Sequence, residues 1–460
     1  MKKIFVDCSY LYNNTESNTG IQRVVRKITE NLLELSKEND SEIILVDIAN
    51  GNFFKIESQM LYPSVSANVQ KASHFDINKL IRFAKEYLKN IYKALKNLIF
   101  ALLPFSVVGN FLHAPRTKFG LNFLIDTLII KPLKAITRPQ KKETAVAAEA
   151  APLMVEGGDI LLLLDSTWHL NIWSSVSSFK KQGGTVIGVI YDIIPISHPQ
   201  FCDDSLTKVF KEWFYDSLKY VDGYIAISNT INIGLKEFLS KEFAGQIEDK
   251  KFDYFLLGSD FEYKTLSEPI VRPALEEMFL TNKSVYLIVC TVEPRKNHAY
   301  LLDIFDQLWK NNFDVSLCIV GKIGWKIEKT INRINSHDML NKKLHFYNDL
   351  SDAELQYCYK HSKMLLFPSI VEGFGLPIVE ALSFGLPVLA SDIAVHREVG
   401  GKQIGYFNIS DTKDLENQII GIEQNEIPAS YIPPKDYRWM SWRESSQMLL
   451  EKIKKISSQI

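Results

Sequence analysis

Cysteine is scarce and unpatterned in this 460-residue chain: Cys8, Cys202, Cys290, Cys318 and Cys358 are odd in number, scattered and without C-x-x-C spacing. That excludes a disulfide framework and a zinc-ligand set, and fits reduced, mostly buried thiols in the cytoplasm. An excess of one charge is also missing. Lys and Arg number 53 against 54 Asp and Glu, a formal net charge of -1, so nothing global points to nucleic acid. No uninterrupted apolar run reaches the ~18 residues of a membrane-spanning helix. The start, Met-Lys-Lys-Ile-Phe-Val-Asp, meets Asp7 before any apolar run of signal length, so no secretion signal is read. What is present, 46% apolar and 23% charged residues, is the composition of a soluble globular protein long enough for two domains.

Short apolar runs alternate with amphipathic stretches, the pattern of a parallel sheet wrapped by helices. In the first half the spacing predicts strands at 3–8, 42–49, 159–165, 185–193, 223–228 and 252–257, with helices at 20–36, 201–220 and 229–240. After residue 262 the rhythm restarts. Strands are expected at 284–292, 315–321, 343–347, 363–368 and 387–391, and helices at 298–311, 325–336, 351–361, 377–385 and 411–422. The fold class is therefore α/β, with two Rossmann-like domains, 1–261 and 262–437, facing a central cleft. A last helix within 438–460 suits packing on either domain. Ligands of such sheets bind beyond the carboxyl ends of the strands, which puts the chemistry in the cleft.

One segment of the first domain, about 55–156, breaks the rhythm. Within 79–142 thirteen basic residues stand against Glu86 and Asp126 alone. Arg82, Lys85, Lys89, Lys93 and Lys96 recur at helical spacing, beside a face of Phe83, Tyr87, Ile91, Leu95, Leu98 and Leu102. A basic amphipathic helix suits an anionic membrane surface, where each nearby charge contributes about 1 kcal/mol. A helical insertion packed on its own domain with a solvated basic face has the same pattern. The apolar stretch 98–112 is short and broken by Pro104, so it can dip into an interface without spanning it. The Ala-rich run 139–152 reads as a mobile loop closing the insertion. The aromatics here are not arranged as a base-stacking platform.

Chemistry is concentrated in two stretches of the second half. Glu372-Gly373-Phe374-Gly375-Leu376-Pro377 follows the strand expected at 363–368. Its two glycines let backbone approach a ligand closely, and Pro377 suits the first turn of a helix. The N-terminus of that helix would point free N–H groups and its positive end at a diphosphate. Glu372 on the loop and Glu380 in the first turn reach different parts of one ligand, a sugar and a ribose. A strand–turn–helix with surface acids would look the same by spacing. The second stretch, Glu293-Pro-Arg295-Lys296-Asn297-His298, sits where the first strand of this half turns into its helix. Adjacent Arg and Lys there can neutralise a diphosphate and stabilise it as a leaving group.

These stretches resemble family 4 retaining glycosyltransferases of the GT-B fold. The resemblance is carried, in family order over about 284–400, by Glu293-Pro-Arg-Lys-Asn297, Val320-Gly-Lys322, Phe367-Pro-Ser369, Glu372-x7-Glu380 and Gly385-Leu-Pro-Val388 with Ser391. It implies that Arg295 and Lys296 bind the donor diphosphate and that Glu372 contacts the transferred sugar. Gly373, Phe374, Gly375 and Leu376 would help hold sugar and phosphate, and Glu380 would bind the ribose hydroxyls. It also implies that protein cations replace a metal, so neither metal nor cofactor is expected. Many relatives carry a further Arg where this chain has Cys290.

The first half carries weaker echoes of the same family. Asn18-Thr-Gly20-Ile-Gln-Arg23 resembles its glycine-containing loop, with Gly20 close to the donor phosphate and Arg23 adding charge. Tyr191-Asp192 resembles the acceptor-side loop, but the usual His before the Asp is Tyr191, so that role is vacant or falls to Asp192. Asp165 and Trp168, at another strand end, are expected along the acceptor cleft; a core Trp is the alternative. Ser228-Asn229-Thr230 resembles the segment entering the next helix, where its hydroxyls also suit a cap. His198 reads as a loop histidine.

Together these features predict a retaining hexosyltransferase acting on a nucleotide sugar. The Glu-Pro-Arg-Lys-Asn form with Thr-Gly-Ile-Gln-Arg-Val-Val-Arg most resembles bacterial O-antigen and capsule mannosyltransferases, which implies GDP-mannose as donor. A lipid-linked saccharide acceptor and an enzyme peripheral on the inner face of the cytoplasmic membrane would follow. A nucleotide-sugar epimerase of the same fold and a non-catalytic partner subunit are the rival expectations.

Overall fold

The apolar runs that alternate with amphipathic stretches form two separate sheets in a computed structural model, which describes residues 2–16, 20–38, 41–62, 151–259 and 271–460. The first sheet contains β1 (Lys3–Asp7), β2 (Glu42–Ala49), β3 (Asn52–Lys55), β4 (Ile160–Leu163), β5 (Thr185–Ile190), β6 (Gly223–Ala226) and β7 (Lys251–Tyr254), in the order β3-β2-β1-β4-β5-β6-β7. The second contains β8 (Val285–Val289), β9 (Ser316–Val320), β10 (Leu344–Tyr347), β11 (Met364–Phe367), β12 (Val388–Ser391) and β13 (Gly405–Phe407), in the order β10-β9-β8-β11-β12-β13. Every pairing is parallel except that of β3 on β2. Strands such as Ile160-Leu-Leu-Leu163 and Met364-Leu-Leu-Phe367 are buried along their whole length, as sheets covered by helices on both faces require.

The predicted strands are all present. β3 and β13, of four and three residues, are additions. So are the helices Trp173–Lys181, Pro273–Thr281 and Ala394–Gly400; the second falls where only a connector was expected. The helix expected at 325–336 starts later, at Glu328, because Trp325 leaves the helical path and donates to Phe201 O at 2.8 Å. Helix Gly20–Ser36 matches its prediction, and Asp203 caps helix Asp204–Tyr220 by accepting from Ser205 N and Leu206 N. Leu153 N donates to Phe53 O on the edge strand β3, so the chain re-enters the first sheet there. The basic stretch 79–142, the apolar stretch 98–112 and 139–150 of the loop expected at 139–152 lie outside the described residues.

The last helix, Trp442–Ser457, packs on the first sheet. Ser441 and Glu444 form a reciprocal capping box at its start. Lys452 and Lys455 then meet Asp253 of β7 at 2.9 and 2.8 Å, and Ser445 Oγ donates to Leu256 O. The chain therefore returns to its N-terminal half after completing the second sheet. Among the described residues no helix is long and apolar enough to cross a membrane.

Each sheet reverses its strand order once, between β1 and β4 in the first and between β8 and β11 in the second. The chain leaves these four strands at residues 8, 164, 290 and 368. Those are the switch points at which doubly wound sheets bind ligands.

Candidate active site

At the second switch point Glu372, which follows β11, meets the turn that follows β8. Arg295 Nη1 donates to Glu372 Oε2 at 2.6 Å, and Lys296 Nζ donates to Glu372 Oε1. Arg295 is held from two more sides, with Nη1 on Val371 O at 3.1 Å and Nη2 on Glu293 Oε1 at 2.7 Å. Lys296 also lies 5.1 Å from the centre of the Phe367 ring. Glu372, Glu293 and Lys296 are all buried. Burial by itself would raise the Glu372 pKa. The charges of Arg295 and Lys296 outweigh it and hold this carboxyl well below the usual carboxylate range. Glu293 runs the other way: burial raises its pKa against the pull of Arg295 and Lys296.

The loop after Glu372 is shaped for close approach. Gly375 has φ +98, a conformation open mainly to glycine, and it starts helix Leu376–Ser383, with Pro377 in the first turn. Gly373 abuts the first half so closely that a Cβ there would lie 2.3 Å from Tyr191 O. Phe374 is buried with its ring centre 6.1 Å from that of Trp439. Helix Leu376–Ser383 thus begins just after Glu372, the carboxylate that both cations bond, an arrangement that suits a diphosphate.

Glu380 sits in the same helix, 2% exposed, with its oxygens shared between the two halves of the molecule. Arg23 Nη2 of helix Gly20–Ser36 donates to Oε1 at 2.6 Å, and Tyr359 Oη donates to Oε2 at 2.8 Å. The Arg23 pKa is raised chiefly by the Glu380 charge. Gly20 is exposed at the start of the Arg23 helix, with open space where a side chain would be.

Across the cleft, Asp192 is half-buried and accepts from Ile194 N at 2.9 Å. Burial raises its pKa, and the nearby Arg295 opposes that rise. The structure thus brings Asp192, Arg295, Lys296, Glu372 and the 373–376 loop together, and joins Arg23 to Glu380 at the same helix. The other acceptor-side candidates turn inward. Tyr191 Oη donates to Leu164 O at 2.9 Å in the core. Asp165 is buried, its Oδ2 accepting from Leu11 N at 2.6 Å and its Oδ1 from Ser166 N at 2.7 Å. The Trp168 ring packs edge-on against Phe210 and Trp213, the core alternative for that residue. His198 lies parallel to Phe201 in its loop, with Ser197 Oγ 2.9 Å from its Nδ1.

Several partners of this site carried no assigned role in the sequence. Glu293 was legible as part of a motif but not as the second carboxylate on Arg295. Tyr359 pairs with a residue in another helix, and no local spacing signals that. At the Cys290 position the thiol lies 3.6 Å from His298 Nε2, with its pKa pushed up to about 12, first by burial. Among the described residues no group of three or more His, Cys, Asp or Glu is placed to hold a metal ion.

Residues 276–437 match the family model for glycosyl transferases group 1. The chain is 30% identical over 312 residues to the serotype-specific mannosyltransferase WbdA of Escherichia coli, covering 66% of this chain and 38% of that protein. It is 26% identical over 238 residues to the O-antigen chain mannosyltransferase RfbU of Salmonella typhimurium, covering 51% and 60%. In both comparisons the chain spans less than two thirds of its relative's length. Among solved structures, HepE of Anabaena, in complex with UDP and glucose, is similar with a TM-score of 0.51. The identity there is 13%, over 100% of this chain and 98% of that one, so the likeness is one of fold.

Proposed function

We propose, from the premise that this is a GT-B chain whose residues 276–437 form a group 1 glycosyl transferase domain, that it transfers mannose from GDP-mannose to a saccharide acceptor. The reading extends to retention of anomeric configuration and to a lipid-linked acceptor in O-antigen or capsule synthesis. The observation that carries it is the buried Glu372 carboxylate bonded by both Arg295 and Lys296 beside the N-terminus of helix Leu376–Ser383. The names of WbdA and RfbU as mannosyltransferases support the choice of sugar.

In this reading the protein's contribution is positioning and charge. Lys has three N–H donors and Arg five, so both can reach a phosphate oxygen while still bonded to Glu372. As the sugar–phosphate bond breaks, negative charge grows on the leaving diphosphate, and fixed cations stabilise that charge without reorganising. Glu372, held ionised, can accept from a hydroxyl of the transferred sugar. Glu380 holds the ribose hydroxyls, since each carboxylate oxygen can take a second hydrogen bond beyond those of Arg23 and Tyr359. The acceptor enters from the Asp192 side, and the leaving phosphate helps remove its proton on the same face. No metal ion is assigned a part. Membrane attachment on the cytoplasmic face belongs to this reading too, through the basic stretch 79–142.

The test is incubation of the whole protein with GDP-mannose, UDP-glucose and UDP-N-acetylglucosamine, each with and without a lipid-linked oligosaccharide. Product mass and anomeric configuration are the readouts. Mannose transfer with retention is the expected result. An inverted product rejects the mechanism, and turnover of donor without acceptor points to an epimerase.

A further inference from the structure

We propose that Glu398 is a positioning residue for the donor loop, an inference that rests on the reading of Glu372 as a donor-site carboxylate. Glu398 belongs to helix Ala394–Gly400 of the second half, but its side chain crosses to the start of helix Asn229–Glu242 in the first half. There Oε1 accepts from Asn229 N at 2.6 Å. Oε2 accepts from Thr230 N at 2.7 Å and from Thr230 Oγ1 at 2.5 Å. The first N–H groups of a helix have no partner within it, and its positive end favours a carboxylate. A residue from the opposite half supplies both.

Ser228 carries this restraint to the donor loop. It caps the same helix, its Oγ accepting from Ile231 N at 3.2 Å, and the same hydroxyl donates to Gly373 O at 2.9 Å. A hydroxyl has one proton, so donation to Gly373 and acceptance from Ile231 together fix its orientation. Ser228 is fully buried, out of reach of bulk solvent. Gly373 adjoins Glu372 in sequence and cannot move toward Tyr191, whose carbonyl already fills the place of a Cβ. His396, on the same helix as Glu398, packs against Phe367 at the end of β11, with its Cδ2 3.6 Å from where a Gly375 Cβ would lie. Helix Ala394–Gly400 thus touches the loop directly through His396, and through Glu398 it holds the segment that bonds the loop's backbone. Nothing in this relay touches the reacting atoms. It sets where the Glu372 carboxylate and the amides after it stand.

Two measurements on the whole protein test this: amide hydrogen exchange, and steady-state turnover of GDP-mannose. Glu398→Ala should speed exchange in 228–231 and 372–376 by about tenfold or more and lower kcat/KM for GDP-mannose about 10- to 100-fold. Glu398→Gln, which replaces one of the two accepting oxygens by an NH2 group set against a backbone N–H donor, should fall near the Ala variant. Ser228→Ala added to Glu398→Ala should lower kcat/KM by no more than about threefold further, because both act through one relay. Arg397→Ala is the control, since Arg397 pairs with Asp392 on the exposed side of its own half. If Glu398→Ala exchanges and turns over like Arg397→Ala, the inference is wrong. A uniform rise in exchange with a matching fall in Tm would also overturn it, by making Glu398 a general support. Failure of the unaltered protein to use GDP-mannose rejects the proposed donor instead, and the exchange measurement still decides the relay.

Discussion

Glu372 and Asp165 occupy corresponding places in the two halves: each follows the strand beside the first strand of its sheet, at the point where strand order reverses. Both are buried, yet their charges are handled in opposite ways. Glu372 has two cations on its oxygens and is held well below the usual carboxylate range. Asp165 is bonded by backbone amides, and burial raises its pKa. Burial first, and then the Asp165 charge, raise the pKa of its neighbour Asp7, whose Oδ2 has no hydrogen-bond partner among the described residues. One switch point is thus built around charge it can present to an anionic ligand. The other uses carboxyls to fix the path of the 8–14 segment. Shared topology places the loops, but the countercharge decides whether a buried acid serves a ligand or the fold.

The largest expected effect breaks the charged side. Lys296→Ala removes one of the two cations on Glu372, and kcat for GDP-mannose should fall about 100- to 1000-fold, as for loss of a transition-state hydrogen-bond donor. Asp165→Asn should instead lower stability more than kcat. Steady-state kinetics and denaturant midpoints on both variants check this, and full transfer by the Lys296 variant would remove the donor assignment.

Next comes Gly373→Ala. Its Cβ would meet a backbone carbonyl, Tyr191 O, at 2.3 Å, so no flexible side chain can yield and the loop itself must shift. A displacement near 1 Å costs about 100-fold in a positioned reaction. The expected loss is about 10- to 100-fold in kcat/KM with Glu372 and its cations intact.

Why one side was readable in the sequence and the other less so follows from the same comparison. The groups proposed to bind the donor are contiguous, Glu293 to Lys296 and Glu372 to Leu376, and each sits at the end of an apolar run that marks its strand. Order along the chain therefore sufficed to place them at two neighbouring strand ends. Arg23 and Glu380 are 357 positions apart, and Glu398 is 169 from Asn229, so their pairing exists only once two halves meet. Asp165 and Trp168 were expected along the cleft because strand ends face it; whether such a side chain points out or in is set by packing, here by Leu11, Phe210 and Trp213. The short strands β3 and β13 and helix Pro273–Thr281 gave too few residues for a period to register.

The acids on the two sides should also separate with pH. An acid whose folded pKa lies above its unfolded value holds its proton only in the folded state between the two. For Asp7 that window opens at about 4, the unfolded value, and lies above it. Its contribution is full below about 4 and is lost as pH rises above that, by at most about 1.4 kcal/mol per pH unit. Glu372 has the reverse sign: its contribution is present above about 4.3 and is lost as pH falls below that. Denaturant midpoints taken from pH 5 to 8 should therefore slope downward less in Asp7→Asn than in the unaltered protein. Glu372→Gln should leave that slope alone and flatten the acid limb.

The smallest effect concerns Tyr191, the residue standing where relatives often carry His. If its hydroxyl worked on the acceptor, Tyr191→Phe would abolish transfer. The hydroxyl instead donates to Leu164 O beneath the cleft, and burial raises its pKa far above the usual phenol value, so it neither faces the acceptor nor ionises near neutral pH. Removing it deletes one buried neutral hydrogen bond, which costs about 1 kcal/mol of stability. Transfer should stay within about threefold of the unaltered protein, because a loss near 1 kcal/mol in folding leaves the loop geometry in place. A tenfold or greater loss of kcat at unchanged stability would move Tyr191 out of the supporting frame and into the chemistry, leaving Asp165 as the contrast to Glu372.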